Sequence, residues 1–217
     1  MWLRFSGDEM SNLEPRSVLS TYAEGQRYFM GEGKLNHALA RLVADLKEHQ
    51  IDYMVIGAVA LMAYGYPRFT EDIDLILDSN GLDSFHNELI GLGYSPAFQG
   101  ARKRLRATRD GTPIEVIAAG DYPGDGKPKP VSFPEPSEGS VEIDGVKFPT
   151  LEKLIELKLA SGMTAPDRLK DLADVQELIK IRSLSSEFAD KLNPYVREEY
   201  LKLLQAVRRG SRNDTEE

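Results

Sequence analysis

The chain has no cysteine, one tryptophan and three histidines, His37, His49 and His86, among its 217 residues. Without thiols there is no disulfide framework and no thiolate metal site, and three scattered imidazoles do not make a zinc centre. No run of about 18 apolar residues occurs, so no membrane-spanning helix is expected. Residues 1–10 (MWLRFSGDEM) lack the apolar centre of a secretion signal, which makes the cytoplasm the expected location. Positive charge is in deficit: 27 Lys and Arg face 35 Asp and Glu, a net charge of −8. That balance argues against broad, sequence-independent binding to duplex DNA. Hydrophobic residues at 41% and charged residues at 29% are ordinary for a soluble globular chain. The length allows one domain with a sizeable core and a helical appendage.

What the chain does carry is concentrated in residues 56–77, IGAVALMAYGYPRFTEDIDLIL. If Ile73, Leu75, Ile76 and Leu77 form a buried strand, its two-residue period turns Asp72 and Asp74 to one face and Ile73 to the other. Two carboxylates side by side repel. A hard divalent cation relieves that repulsion, and Mg²⁺ is the usual ion where phosphate oxygens complete the shell. The upstream residues suit a phosphate: residues 52–56 (DYMVI) read as a strand, Gly57 and Ala58 as a turn, and residues 59–66 as a short helix ended by Pro67. A helix start offers unpaired N–H groups and a positive dipole end, and Gly57 lets the backbone approach a ligand. Arg68 then stands before the aspartates, placed to pair with phosphate or to brace the carboxylates. A surface arginine after a proline turn is the plainer alternative, and Tyr64 reads as helix core. A bare Asp-x-Asp is weak; the order of strand, glycine turn, helix, Arg68, Thr70 and aspartate pair gives it weight.

A third acid is sought on a neighbouring strand. Asp110-Gly111 is a hairpin signal between KRLRATR and PIEVIA, and Glu115 is the single acid of the second run. A carboxylate among Ile114, Val116 and Ala118 is costly to bury without a partner, and the Asp72/Asp74 site supplies one. The opposing reading puts Glu115 on the solvent face of an amphipathic strand. Residues 101–109 (ARKRLRATR) hold five basic residues, and as a strand would set Arg102, Arg104 and Arg106 on one face. That stripe suits triphosphate or an RNA backbone, or simply blunts a sheet edge; register decides.

Elsewhere, residues 1–33 are weakly patterned and read as an extension. Leu35, Ala38, Leu39, Leu42, Val43 and Leu46 recur at helical spacing. A helix is expected around residues 82–92, closed by Gly91 and Gly93. Residues 120–139, rich in Pro, Gly and charge, read as a long loop bordering the acceptor side of the site. A short hairpin over residues 141–149 turns at Asp144-Gly145. The last third is helical. Thr150 reads as an N-cap before Leu151, Leu154, Ile155, Leu157 and Leu159. Pro166-Asp167 opens a second helix with Leu169, Leu172, Val175, Leu178 and Ile179 on its buried side. Asn193-Pro194 opens a third, to about Arg208, before a frayed tail. Asp171 and Asp174 are i,i+3 neighbours able to pair with Lys158 or Arg168, unless the helix is ordinary and its charges solvated.

The glycine with a small residue, the gap of about a dozen residues and the Asp-hydrophobic-Asp resemble the signature of the DNA polymerase beta type nucleotidyltransferase superfamily. The longer pattern of Gly57, Ala60, Tyr64 and RFTEDIDL is similar to the AbiEii-like (type IV toxin-antitoxin) nucleotidyltransferases, and residues 154–179 resemble that family's later motif. The resemblance implies an α+β fold: a nucleotidyltransferase core of small mixed sheet flanked by helices (34–149) and a C-terminal helical subdomain (150–209), with an extension (1–33) and a flexible tail (210–217). It implies Asp72, Asp74 and Glu115 as catalytic acids holding two Mg²⁺ ions. It implies Gly57, Ala58, Arg68, Thr70, Lys158, Arg168, Asp171 and Asp174 as substrate-binding residues, Lys158 matching the nucleotide-phosphate lysine. The implied reaction moves a nucleoside monophosphate from a nucleoside triphosphate to an acceptor hydroxyl, in toxin-type enzymes at the tRNA 3′ end, with a cognate antitoxin protein as partner. An antibiotic or protein acceptor uses the same core. Ala58 departs from the usual Gly or Ser, removing a hydroxyl contact to phosphate while keeping the backbone donors. That departure leaves open a catalytically inactive nucleotidyltransferase-like binding partner.

Overall fold

Five strands form one mixed sheet, and the parallel pairing at its centre brings the two acid-bearing segments together. The computed structural model describes residues 33–213. The extension expected over residues 1–33 lies outside them except for Gly33, as does the end of the tail. The first helix, α1 (Lys34–Glu48), buries Leu35, Ala38, Leu42, Val43 and Leu46, the stripe that the three-to-four spacing predicts. β1 (Met54–Ile56), α2 (Gly57–Ala63), β2 (Ile73–Leu77), α3 (Ser79–Glu88), β3 (Tyr94–Pro96), β4 (Arg104–Ala107) and β5 (Pro113–Ala118) follow. The strand order is β1-β2-β5-β4-β3. β2 and β5 run parallel, and the β1–β2, β5–β4 and β4–β3 pairs are antiparallel.

Alternation gives the sheet two unlike faces. Ile73, Leu75, Leu77, Ile114 and Val116 join the main core with α1, α2 and the later helices. On the other face Met54, Ile56 and Ile76 form a small apolar patch covered by Ile117, Ala119 and Phe133. The acids share this second face, because Asp74 precedes Ile76 and Glu115 precedes Ile117 by one two-residue strand step.

A separate ribbon, β6 (Ser140–Ile143) and β7 (Val146–Pro149), turns through Asp144 (φ 50°) and Gly145 (φ 78°), two consecutive left-handed residues as a two-residue hairpin demands. α4 (Leu151–Thr164) starts at Thr150, whose hydroxyl accepts from Lys153 N. A 3₁₀ turn (Pro166–Arg168) leads into α5 (Leu169–Ile181), and a second (Ser186–Lys191) precedes α6 (Pro194–Asn213). Buried Glu156 ties α4 to the start of α6 by accepting from Asn193 N at 2.6 Å. The architecture is α+β, a small mixed sheet flanked by helices. Among the described residues no helix is long and apolar enough to cross a membrane.

Several boundaries differ from expectation. α2 begins at Gly57 and closes before Gly65 (φ 88°), two residues ahead of Pro67. Its Tyr64 is buried and donates to Pro149 O at 2.6 Å, so it is core. α3 starts earlier, at Ser79, because Asp78 caps it by accepting from Gly81 N at 2.5 Å; it ends at Glu88, leaving Leu92 exposed. α6 continues past Arg208 to Asn213. Leu169, expected inside, is 67% exposed, and the buried side of α5 begins with Asp171 and Asp174 instead. Residues 119–139 contain no helix or strand yet are pinned: Gly120 N donates to Phe133 O at 2.8 Å, Phe133 N donates to Asp121 O at 2.9 Å, and Val131 is buried.

Gly162 sets the distance between α4 and α5. A Cβ there would lie 2.5 Å from Leu172 Cγ and 3.3 Å from the Leu172 backbone nitrogen. Gly162→Ala is therefore expected to cost about 1–3 kcal/mol, measured as a lower urea midpoint at unchanged slope.

Candidate functional site

The register that builds the sheet also builds the site. Ile56, Asp74, Glu115 and Arg104 are successive Cα partners across β1, β2, β5 and β4. Partners in a ladder present their side chains on one face, so Asp74 and Glu115 stand side by side. Asp72, one residue ahead of β2, accepts a hydrogen bond from Thr70 Oγ1. Asp72, Asp74 and Glu115 line one cleft of about 570 Å³, together with Gly57, Ala58, Arg68 and Thr70. Lys158, Arg168 and Asp171 face them from α4 and the start of α5. Asp174 is not in the lining; it lies behind it, 3% exposed. Glu115 is exposed rather than buried, so its desolvation is smaller than the sequence argument assumed.

Gly57, which lines the cleft, also has a second task. Its φ is +69°, and a Cβ would overlap the Asp74 carboxylate, approaching Cγ to 2.8 Å. The missing side chain makes room for Asp74. α2 has only seven residues, so its dipole is a short one and adds little to phosphate attraction.

Across the cleft lies a buried ion cluster. Lys158 Nζ donates to Asp171 Oδ1 at 2.9 Å and Asp174 Oδ2 at 2.7 Å. Arg68 Nη1 donates to Asp174 Oδ2 at 2.7 Å, and Ser161 Oγ to Asp171 Oδ2 at 2.7 Å. Lys158, Asp171 and Asp174 are all more than nine-tenths buried, so these charges are not solvated ones on an amphipathic surface. Burial alone would raise the Asp171 pKa; the Lys158 charge and the Ser161 and Lys158 hydrogen bonds outweigh it and hold that carboxyl below its usual range. The cluster's two cations balance its two anions. Arg168 and Lys170, which also line the cleft, have no acid partner within ion-pair distance among the described residues. They are the cations with charge to spare.

The basic stripe is only partly realised. Arg104 and Arg106 are exposed and alternate with buried Leu105 and Ala107 on β4, which places Arg104 beside Glu115. Arg102 and Lys103 lie before the strand and are paired, with Asp83 at 2.5 Å and Asp121 at 2.7 Å. Sequence reasoning missed Ser161 and Lys170, and it missed Phe133, which lines the cleft from the long loop. Ser161 and Lys170 each stand beside or near a predicted residue, one turn after Lys158 and one residue before Asp171. Phe133 carried no signal, being one aromatic in a proline-rich stretch.

The Asp74 carboxyl is pushed up to about 6, first by burial and then by the charges of Asp72 and Glu115, which Lys158 and Lys170 offset only in part. Among the described residues no group of three or more acid or histidine side chains stands close enough together to hold a metal ion. Open carboxylates with an under-compensated charge nonetheless fit Mg²⁺, a hard ion that takes one or two protein carboxylates and fills its shell with phosphate and water.

No protein-family model matches the chain, and no curated protein matches it. Among solved structures it is similar to ANT(2″)-Ia in complex with adenylyl-2″-tobramycin, at 16% identity over 81% of this chain and 97% of that one, TM-score 0.49. It is also similar to JHP933 from Helicobacter pylori (18% identity, 84% and 97% covered, TM-score 0.43). A third is an antigenic nucleotidyltransferase-like protein from Paracoccidioides brasiliensis (16%, 67% and 75%, 0.43). These are distant likenesses, and the functional reading rests on the residues of the site.

Two stability predictions follow from the charges. A carboxyl whose pKa is higher folded than unfolded destabilises the fold at pH above the folded value, and the penalty is relieved as pH falls from about 6 towards 3.8. Asp74→Asn is expected to stabilise the ion-free protein at pH 8 by about 1–3 kcal/mol and to flatten that part of the stability profile; equal urea midpoints for both proteins across the range would contradict it. Lys158→Met, which leaves Asp171 buried without its cation, is expected to cost about 3–5 kcal/mol, with part recovered when Asp171→Asn is added.

Proposed function

We propose that the protein is a nucleotidyltransferase that moves a nucleoside monophosphate from a nucleoside triphosphate to an acceptor hydroxyl. The observation that carries this reading is the alignment of Asp72, Asp74 and Glu115 along one cleft opposite Arg168 and Lys170. Three acids alone repel a triphosphate, and two unpaired cations alone do not activate one. Asp72 and Asp74 would hold one Mg²⁺, and Glu115 with them a second, supplying charge neutralisation at the triphosphate and a lowered pKa for the acceptor hydroxyl. Arg168 and Lys170 are placed to bind the β and γ phosphates, where negative charge grows as pyrophosphate departs. Lys158 and Arg68, clamped by Asp171 and Asp174, fix that wall rather than carry its surplus charge. Glu115, exposed on the cleft side of β5, is placed to orient the acceptor. The acceptor hydroxyl oxygen would attack the α-phosphorus in line as its proton passes to solvent, the bond to pyrophosphate would break with pyrophosphate leaving, and the monophosphate would stay on the acceptor.

The resemblance to AbiEii-like toxins supports the tRNA 3′ end as acceptor, in the cytoplasm, with an antitoxin protein as regulator. Arg104 beside Glu115 favours an acceptor carrying negative charge over an antibiotic or a protein hydroxyl. Ala58 favours a second reading, nucleotide binding without turnover. Incubation with each α-labelled nucleoside triphosphate, total RNA and Mg²⁺, followed by separation of RNA, protein and small molecules, tests both. The expected result is label in RNA, reduced by at least about 10³-fold in Asp74→Asn and Glu115→Gln. Wild-type labelling by either variant refutes the reading, and Mg²⁺-dependent nucleotide binding with label nowhere selects the second one.

A further inference from the structure

The cleft has a charged end, assigned above, and an apolar wall that the chemistry of transfer does not use. One strand step beyond Glu115, Ile117 turns to the same face, and Phe133 packs over it from the loop; both are half-buried, so both keep surface towards the cleft. Pro123 and Gly124 of the same loop and Leu154 and Leu157 of α4 complete this wall. The wall is preformed. Phe133 is held through both its backbone groups, by Gly120 and Asp121. Gly124 (φ +75°) sits so close to α4 that a Cβ would lie 2.8 Å from Ser161 O. Three polar side chains beside this loop are engaged: Ser161 Oγ with Asp171, Thr164 Oγ1 with Ala160 O at 2.7 Å, and Lys129 Nζ with Pro123 O at 2.6 Å.

We propose that this wall, whose loop the sequence assigns to the acceptor side, is instead the donor-base subsite, with Phe133 as the stacking platform for the nucleobase of the nucleoside triphosphate. The inference rests on the nucleotidyltransferase reading and adds a specificity to it. Because the subsite offers an aromatic ring beside Ile117, Leu154 and Leu157, it holds a base by its π-face. Every nucleobase has that face, so all four donors bind. Larger purine rings bury more area and bind more tightly than pyrimidines. Phe133 is a positioning residue that sets the affinity for the donor.

The test is equilibrium binding of the four α,β-methylene nucleoside triphosphates, which cannot be turned over, and of inorganic triphosphate, to the full chain with Mg²⁺. Phe133→Ala is expected to weaken all four nucleotides by about tenfold or more, while inorganic triphosphate, which has no base, changes by less than about twofold. Phe133→Trp is expected to restore nucleotide binding. Phe133→Leu, which keeps apolar packing over Ile117 but has no ring, is expected to bind like Phe133→Ala. Equal losses for nucleotides and inorganic triphosphate, unchanged binding in Phe133→Ala and Phe133→Leu, or a wild-type preference for one base above about a hundredfold would each overturn the subsite. If the wild type binds inorganic triphosphate as tightly as any nucleotide, the base has no subsite here. If it binds neither, the donor reading falls with it, whereas label transfer that survives in Phe133→Leu at full nucleotide affinity removes the subsite alone.

Discussion

Electrostatic repulsion among carboxylates is the constraint around which this molecule is arranged. The parallel register of β2 and β5 sets Asp74 beside Glu115, and the two-residue strand period brings Asp72 to the same face. Nothing in the acids holds them there. The restraint comes from the opposite face, where Ile73, Leu75, Ile114 and Val116 are at most 2% exposed. Slipping β5 by one residue would put Glu115 into that core and Val116 into the cleft, so hydrophobic burial enforces an alignment that charge opposes. The Asp74 carboxyl is pushed up to about 6 first by its own burial, and the charges of Asp72 and Glu115 add to that rise.

The wall opposite solves a different problem. A phosphate site needs cations that are both fixed and available, and an ion pair that fixes a cation also spends its charge. Here the two requirements fall to different residues. Lys158 and Arg68 are fixed by Asp171 and Asp174 and tie the loop before β2, α4 and α5 into one unit. Such a buried cluster is poor evidence of net stability, since desolvation offsets much of the attraction, but it defines a geometry. Arg168 and Lys170 flank it at the helix start and, among the described residues, pair with no acid. Gly162 allows the close crossing of α4 and α5 on which the cluster depends.

Much of this arrangement was legible in the residues. The period-two pattern around Asp72 and Asp74, the Asp110-Gly111 turn and the apolar helix stripes each depend on neighbours in sequence, and each led to the observed strand or helix. The pairing of Asp74 with Glu115 required only that two predicted strands be adjacent and parallel. What was not legible depends on long-range packing. The burial of Asp171 and Asp174 contradicts an amphipathic reading of α5, because Lys158 and Arg68 supply partners that no local pattern reveals. Leu169 reads as core and is exposed for the complementary reason, that α5 turns its aspartates inward. Gly57 reads as a ligand contact, and its close approach to Asp74, 17 residues further along the chain, carries no local signal. Phe133 gained its place from a loop fold that composition does not encode.

Ala58 can be weighed with the same arithmetic. Its side chain is 6% exposed, so a methyl group there is well accommodated and the cleft meets mainly backbone at this position. A serine would add one hydroxyl donor to a phosphate, a hydrogen bond to a charged group worth about 1.5–3 kcal/mol. Its absence corresponds to roughly a ten- to 150-fold weaker contact, which is substantial and still small beside the many orders of magnitude that an activated phosphoryl centre provides. The acids and the two unpaired cations are retained. On that balance Ala58 would tune the proposed transfer rather than abolish it.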